Sequence, residues 1–307
     1  MILSVIIPTK DRSSLLAKAL GSIERQTLPE KLFEILVIDN GSADNTREIV
    51  KQYEAKIENL RYFYDATAGL HTGRHVGLRE SRADLLVYLD DDVELFPNHL
   101  CSVLESFEDK CVALVGGKNL PVFEENPPAW LLSMWRKEGM VGQLSVLDLG
   151  DKMKEIDSSF VWGCNFSVRK SVLYLANGFH PDAFPQEFIR LRGDGESHVS
   201  DYVKENGYKT IYNPGASVYH FVSKERMTEE YFCKRMFNQG ISNSYSKLRK
   251  YQKFSDLKNR FEKKIIPPMT LEDKMNNAYL DGYIFHQIEC LKDAELLKWV
   301  LKERYFE

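Results

Sequence analysis

The chain is short of the features that would place it in a membrane, a disulfide scaffold or a nucleic-acid complex. Nowhere in its 307 residues do eighteen apolar residues run together, which excludes a bilayer-spanning helix on hydropathy. Its five cysteines (Cys101, Cys111, Cys164, Cys233, Cys290) are odd in number and contain no pair two residues apart. Neither a disulfide framework nor a cysteine zinc site is therefore expected, and a reducing compartment is. A large excess of one charge sign is missing as well: 41 Lys and Arg against 45 Asp and Glu leave a net −4, which gives no overall attraction for nucleic acid. No basic stretch precedes an apolar run and cleavage site at the N-terminus, so the expectation is a soluble protein, cytoplasmic or peripheral on the cytoplasmic face of a membrane.

A glycine-rich phosphate loop is also missing. Where a dinucleotide-binding domain carries G-x-G-x-x-G after its first strand, this chain reads Pro8-Thr9-Lys10-Asp11-Arg12, and no P-loop occurs. A pyrophosphate bound here needs another source of positive charge, such as a metal ion.

What the chain does have is 43% hydrophobic content, enough for one large domain or a domain with an appendage. Buried strands are expected at Leu3–Pro8, Phe33–Ile38, Leu60–Tyr64, Asp84–Leu89 and Cys111–Gly116. Helices are expected between them, at about 13–26, 44–56 and 71–82. Strands alternating with helices at this spacing predict an α/β fold with a doubly wound, mainly parallel sheet. The strand at Leu85–Leu89 runs straight into Asp90-Asp91-Asp92. Three adjacent carboxylates repel one another without a cation, and Mg²⁺ or Mn²⁺ takes one or two protein carboxylates together with phosphate oxygens. In an open α/β sheet such acids lie beyond the carboxyl ends of the strands, where ligands bind. The alternative is a polar loop or the N-terminal cap of the helix that Pro97 begins.

Four segments then point one way. Val5-Ile6-Ile7-Pro8-Thr9, Val37-Ile38-Asp39-Asn40-Gly41-Ser42-Ala43-Asp44-Asn45-Thr46, the stretch Gly69 to Gly77 with Arg74, and Leu89-Asp90-Asp91-Asp92 resemble, in order, the motifs of the family 2 glycosyltransferases. The resemblance covers roughly residues 1–222 and implies an inverting enzyme of the glycosyltransferase-A, Rossmann-like fold that uses a UDP-linked or other nucleoside diphosphate donor. It implies a donor site of Pro8, Thr9, Asp11, Asp39, Arg74, Asp90 and Asp91, with Asp39 facing the base. Asp90 and Asp92 would form the DxD-type metal element. His75 stands where the family usually has asparagine. Phe160 to Lys170 resembles the family's G-x-N element and places Trp162, Gly163 and Asn165 at the sugar and acceptor. His220 ends the segment where some members carry a further metal ligand, and imidazole suits Mn²⁺ better than Mg²⁺.

Gly193-Asp194-Gly195-Glu196 supplies the catalytic candidates, because direct displacement needs a carboxylate to take the acceptor's proton. The resemblance implies a base a fixed step ahead of a glycine beyond the following helix, and counting back from Gly207 places Glu196 there, with Asp194 as the alternative; an N-cap with first-turn acids is the structural alternative. From 224 to 264 twelve Lys and Arg face five acids, a local +7 interleaved with Tyr231, Phe232, Phe237, Tyr245, Tyr251 and Phe254. Two readings stand: a peripheral patch for anionic lipid or a lipid-linked acceptor, or a helix packed by its aromatics. Residues 271–305 read as helical with an apolar stripe at Leu291, Leu296, Leu297, Val300 and Leu301, which docking or a homo-oligomer would cover.

The expected organisation is a catalytic domain at 1–222, divided into a nucleotide-binding half (1–118) and an acceptor and catalytic half (119–222), followed by a helical C-terminal extension at 223–307. The expected activity is metal-dependent (Mn or Mg) transfer of a hexosyl or N-acetylhexosaminyl group to a glycan or lipid-linked hydroxyl, as in polysaccharide assembly. The competing readings are an inactive nucleotide-sugar-binding scaffold and a sugar nucleotidyltransferase; the latter predicts a glycine-rich, lysine-bearing loop that Pro8–Arg12 does not provide.

Overall fold

Alternation along the central strands decides the architecture. In β1 (Leu3–Thr9) and in β2 (Phe33–Asp39), which follows α1 (Ser13–Glu24), every residue is buried. Val5, Ile7, Ile35 and Val37 enter one apolar cluster with Leu16, Leu20 and Ile23 of α1, whereas Ile6, Leu36 and Ile38 enter a second on the opposite face. Side chains that alternate into two cores need helices on both faces, and the chain provides them. This is a computed structural model, which describes residues 1–265, 267 and 269–306.

In order there follow α2 (Thr46–Glu54), β3 (Leu60–Tyr64), α3 (Leu70–Glu80), β4 (Leu85–Leu89), β5 (Val93–Leu95), α4 (His99–Ser106), β6 (Val112–Gly116), β7 (Asn119–Phe123) and α5 (Ala129–Glu138). The short strands β8 (Met140–Val141), β9 (Val146–Leu147) and β10 (Lys154–Glu155) lead to β11 (Asn165–Arg169), α6 (Lys170–Leu175), α7 (Ser197–Glu205), β12 (Lys209–Tyr212) and β13 (Val218–Val222). The chain continues through α8 (Glu229–Tyr251), α9 (Leu257–Glu262), α10 (Leu271–Lys292) and α11 (Ala294–Leu301).

The main sheet has eight strands in the order β10-β12-β6-β11-β4-β1-β2-β3. It is parallel from β4 through β3 and between β6 and β12, while β11 lies antiparallel between β4 and β6. The mainly parallel, doubly wound sheet is thus present. A second sheet of five strands, β5-β13-β7-β9-β8, is an addition that hydrophobic runs do not announce. Pro121, Pro127 and Pro128 with Trp130 and Trp135 suggest a loop and a short helix; the helix is α5, but Pro121 falls inside β7.

The chain leaves β4 of the large sheet and enters β5 of the small one through Asp90-Asp91-Asp92, so the three acids stand at the seam between the sheets. Asn165 fastens that seam from behind. Its amide donates to Ala216 O at 2.9 Å and to Asn119 Oδ1 at 3.3 Å, and its Oδ1 lies 3.0 Å from His99 Nε2. Register brings a histidine to the acids as well: His220 of β13 pairs with Val93 of β5, and Phe221 N donates to Asp92 O at 2.9 Å.

Helix α8 is fixed against α10 by glycines. A Cβ at Gly240 would stand 2.1 Å from Tyr279 O, and one at Gly282 would stand 1.9 Å from Phe237 O, so the two backbones touch where no side chain fits. Tyr231, Phe232, Phe237, Tyr245 and Phe254 are buried or half-buried, which leaves Tyr251 as the exposed aromatic of that set. The helix-packing reading of 224–264 therefore accounts for most of its aromatics, while Tyr251 and Phe261 face solvent. The C-terminal stripe divides: Leu296 and Val300 are buried, whereas Leu291 and Leu301 face solvent.

Candidate active site

Beyond the carboxyl ends of β1 and β4 opens a cleft of about 740 Å³. Among the residues expected from sequence, Pro8, Thr9, Asp11, Arg74, Asp90, Asp91, Asp92, Gly163, Glu196 and His220 line it. Asp39, Trp162, Asn165 and Asp194 do not.

The four exceptions have physical reasons. Asp39 ends β2 one residue before the lining residue Asn40, but its oxygens are taken, by Ser42 N at 2.7 Å and Tyr62 OH at 2.7 Å. Trp162 turns its indole N–H to Ser159 O at 3.0 Å. Asn165 belongs to the seam between the sheets, a structural role in place of the sugar contact expected for it. Asp194, the alternative base, is enclosed by His180 Nδ1 at 2.6 Å and Ser246 Oγ at 2.5 Å and has no access to the cleft.

Glu196 faces the opening, with 22% of its side chain exposed. Gly195 precedes it at φ +57, a left-handed backbone that glycine adopts without cost. The Glu196 carboxylate accepts Gly163 N at 3.1 Å on one oxygen and Arg74 Nη1 at 3.2 Å on the other. A glycine at 163 lets the Arg74 guanidinium lie where it does, because a Cβ there would stand 2.1 Å from it and push it aside. Arg74 is 3% exposed, and its other terminal nitrogen reaches Asp90 at 3.9 Å. Burial opposes its charge, but Glu196, Asp90 and Asp182 more than compensate, which raises its pKa above the ordinary value. One buried cation therefore spans the acidic cluster and the candidate base.

The acids differ among themselves. Thr9 Oγ1 donates to Asp91 at 2.7 Å, and Arg12 bridges Asp91 at 3.0 Å and Asp92 at 3.2 Å. Burial pushes the Asp91 carboxyl up to about 6 despite Arg12, and burial with Asp92 alongside also raises Asp90. Asp92 goes the other way: burial opposes its charge, yet His220, Arg226 and Arg12 hold it below the usual carboxylate range. Burial first, and the neighbouring carboxylate second, thus disfavours the charged forms of Asp90 and Asp91, while Asp92 keeps its charge.

A divalent ion fits two of these groups. Asp92 Oδ1 is buried with no hydrogen-bond donor aimed at it, and His220 Nε2 stands 3.3 Å away out of hydrogen-bond alignment. Two adjacent ligands of an octahedral ion, each about 2.1 Å from it, stand about 3 Å apart. Among the described residues no group of three or more His, Cys, Asp or Glu is placed to enclose a metal. The protein would supply an oxygen and a nitrogen and leave the remaining positions to water and phosphate, as Mg²⁺ and Mn²⁺ sites on phosphorylated substrates commonly do.

Sequence reasoning missed several lining residues. Arg12 sits beside the expected Asp11, and its position directly after β1 was the available signal. Arg226, Tyr231 and Arg235 come from the basic stretch assigned to the surface. Arg226 is oriented by Tyr231 OH at 3.1 Å and reaches Asp92 at 3.4 Å. Asp182 and Arg192, paired at 2.6 Å, close the side of the cleft beside Glu196.

Comparison with known proteins gives this geometry a family. Validoxylamine A glucosyltransferase of Streptomyces hygroscopicus subsp. limoneus is 39% identical over 105 residues, 34% of this chain and 23% of that protein. The chain thus spans about a quarter of the length of the relatives it matches first. The mannosyltransferase PcManGT of Pyrobaculum calidifontis, solved with GDP-Man and Mn²⁺, superposes with a TM-score of 0.57 at 16% identity, covering 94% of this chain and 74% of that one. TarS 1–349 of S. aureus, solved with UDP-GlcNAc, gives 0.56 at 15% identity, covering 95% of this chain and 92% of that one. At such identity the structural likeness establishes the fold, glycosyltransferase-A with a C-terminal helical region. The family model described as Glycosyl transferase family 2 matches residues 4–175, more than half of the chain, and the chain belongs to that family.

Proposed function

We propose that the protein is a metal-dependent, inverting glycosyltransferase that moves one sugar from a nucleoside diphosphate donor, UDP-linked by preference, to a hydroxyl of a glycan or lipid-linked acceptor. The observation that carries this reading is Arg74, which contacts Glu196 at 3.2 Å and Asp90 at 3.9 Å and so places a solvent-reachable carboxylate across one cleft from the acidic cluster. In the reaction Glu196 takes the acceptor hydroxyl's proton as its oxygen attacks the anomeric carbon and the diphosphate departs. The hydrogen bond from Gly163 N orients that carboxylate, while Arg12, Arg74 and Arg226 offer positive charge to the departing diphosphate. A divalent ion held by Asp92 and His220 would neutralise charge on the same phosphates.

Solved neighbours bound to GDP-Man with Mn²⁺ and to UDP-GlcNAc support a sugar nucleotide and a divalent ion as ligands. The deciding measurement is hydrolysis or transfer with UDP-, GDP-, dTDP- and CMP-sugars, with and without Mn²⁺, alongside thermal shifts for each. Turnover that needs the ion and falls by at least about 100-fold in both Asp92→Ala and Glu196→Gln is expected. Donor stabilisation that ignores the ion and survives loss of Asp90 and Asp92 would point instead to a nucleotide-sugar-binding scaffold.

A further inference from the structure

The carboxylate left out of the cleft has a different task. Asp194 is two residues before Glu196, and its position is set by α8. Ser246 Oγ of that helix donates to Asp194 Oδ2 at 2.5 Å, and one helical turn earlier Ser242 Oγ donates to Gly193 O at 2.7 Å. On the other side His180 Nδ1 meets Asp194 Oδ1 at 2.6 Å, and the His198 ring stacks on the His180 ring at 3.7 Å. Backbone bonds complete the clamp, from Gly193 N to Pro181 O at 2.8 Å and from His180 N to Gly195 O at 3.2 Å. There is no slack around the loop: a Cβ on Gly193 would stand 2.9 Å from the Tyr245 ring, and one on Gly195 would stand 2.8 Å from Asp182.

We propose that Asp194 is a positioning residue, and that the Ser246–Asp194–His180 chain makes helix α8 the support that holds the Glu196 loop in register with the cleft. The inference rests on the reading of Glu196 as the base. A buried carboxylate is stable in one place only while its donors are satisfied, so losing one donor releases the loop locally. Glu196 lies at the end of that loop, and a displacement of about 1 Å at a reacting group can cost up to about 100-fold in rate.

Hydrolysis of a UDP-sugar with Mn²⁺, paired with backbone hydrogen exchange, tests this on the full chain carrying Ser246→Ala, Ser246→Thr or Asp194→Asn. Ser246→Ala and Asp194→Asn are expected to lower kcat about 10-fold or more, with the donor KM within about 2-fold of wild type. Their faster exchange is expected to stay within residues 193–197, and Ser246→Thr, which restores a hydroxyl, is expected to recover most of both. Wild-type kcat and wild-type exchange in Ser246→Ala and Asp194→Asn would overturn the proposal. Protection lost evenly over the whole chain would overturn it too, since that marks a general stabilising role. Glu196→Gln separates the two ideas: if it keeps full turnover the base assignment fails, while loop exchange in Ser246→Ala still decides whether α8 holds the loop.

Discussion

Arg74 Nη1 lies 3.2 Å from Glu196 Oε2, and because the arginine is buried while the glutamate keeps a fifth of its side chain in solvent, the pair is unequal. Removing the glutamate leaves a buried cation that still has Asp90 within 3.9 Å; removing the arginine leaves two carboxylates facing each other across the cleft. Arg74→Met is expected to abolish measurable donor turnover and to cost roughly 2 kcal/mol in urea unfolding. That figure lies below the roughly 3–5 kcal/mol of a fully enclosed pair because solvent screens Glu196. An active, fully stable Arg74→Met protein would remove the pair from both accounts.

Gly163 allows a separate perturbation of the same contact. Gly163→Ala would push a methyl group into the guanidinium and displace Arg74 without changing any charge. Turnover is expected to fall by more than about 10-fold while the unfolding midpoint shifts little, because the guanidinium is the end of a flexible side chain. Equal losses in activity and stability would place the strain in the backbone.

Gly282 makes the opposite prediction. Its neighbour is the Phe237 carbonyl, which cannot swing aside. Gly282→Ala is expected to separate α8 from α10 and to destabilise by about 2 kcal/mol, the usual range for an overpacked core site. Differential scanning calorimetry of the single variant checks this, and an unchanged Tm would mean that the helices slide past each other at low cost.

Acid should weaken the fold through its buried imidazoles, with Asp91, pushed up to about 6 by burial, offsetting part of the loss. Burial is the first cause in holding His99, His198 and His286 each down to about 4, against 6.5 for a free imidazole. Between those values the unfolded chain binds more protons than the folded one. Stability is therefore full above about pH 6.5 and declines as pH falls toward 4, by up to about 1.4 kcal/mol per pH unit for each histidine. Urea midpoints at pH 7.5 and 5.0 should show the decline, and His286→Gln should make it shallower. A His286→Gln protein with the wild-type slope would take that residue out of the linkage.

Legibility in the sequence followed burial and run length. Strands β4 and β6 are unbroken apolar runs, and β1 and β2 are nearly so, interrupted inside by Ser4 and Glu34, because both faces of the main sheet are covered, so one-dimensional pattern and three-dimensional environment coincide. The small sheet escaped because β8 and β9 have two residues each, too few to establish a period. Pro121 concealed β7 for another reason: β9 pairs with it only at Asn119, so the proline sits where that edge is open. Residues of the cleft were legible where an acid or glycine directly followed a strand, as at Asp90–Asp92. They were hidden where the chain returned from far away, as with Arg226, whose charge was submerged in a basic stretch. Asn165 misled because an amide among apolar residues signals a buried polar site without saying whether a ligand or a neighbouring strand fills it.

The pairing of β13 with β5 fixes more than a sheet. Side chains alternate along a strand, so a slip of a single residue between these two would carry the His220 imidazole to the opposite surface and present Tyr219 or Phe221 beside Asp92. What stands beside Asp92 is therefore set by the length of the turn at Asn213–Ser217 as much as by any residue lining the cleft, and one inserted or deleted residue there would put an aromatic ring in place of the imidazole.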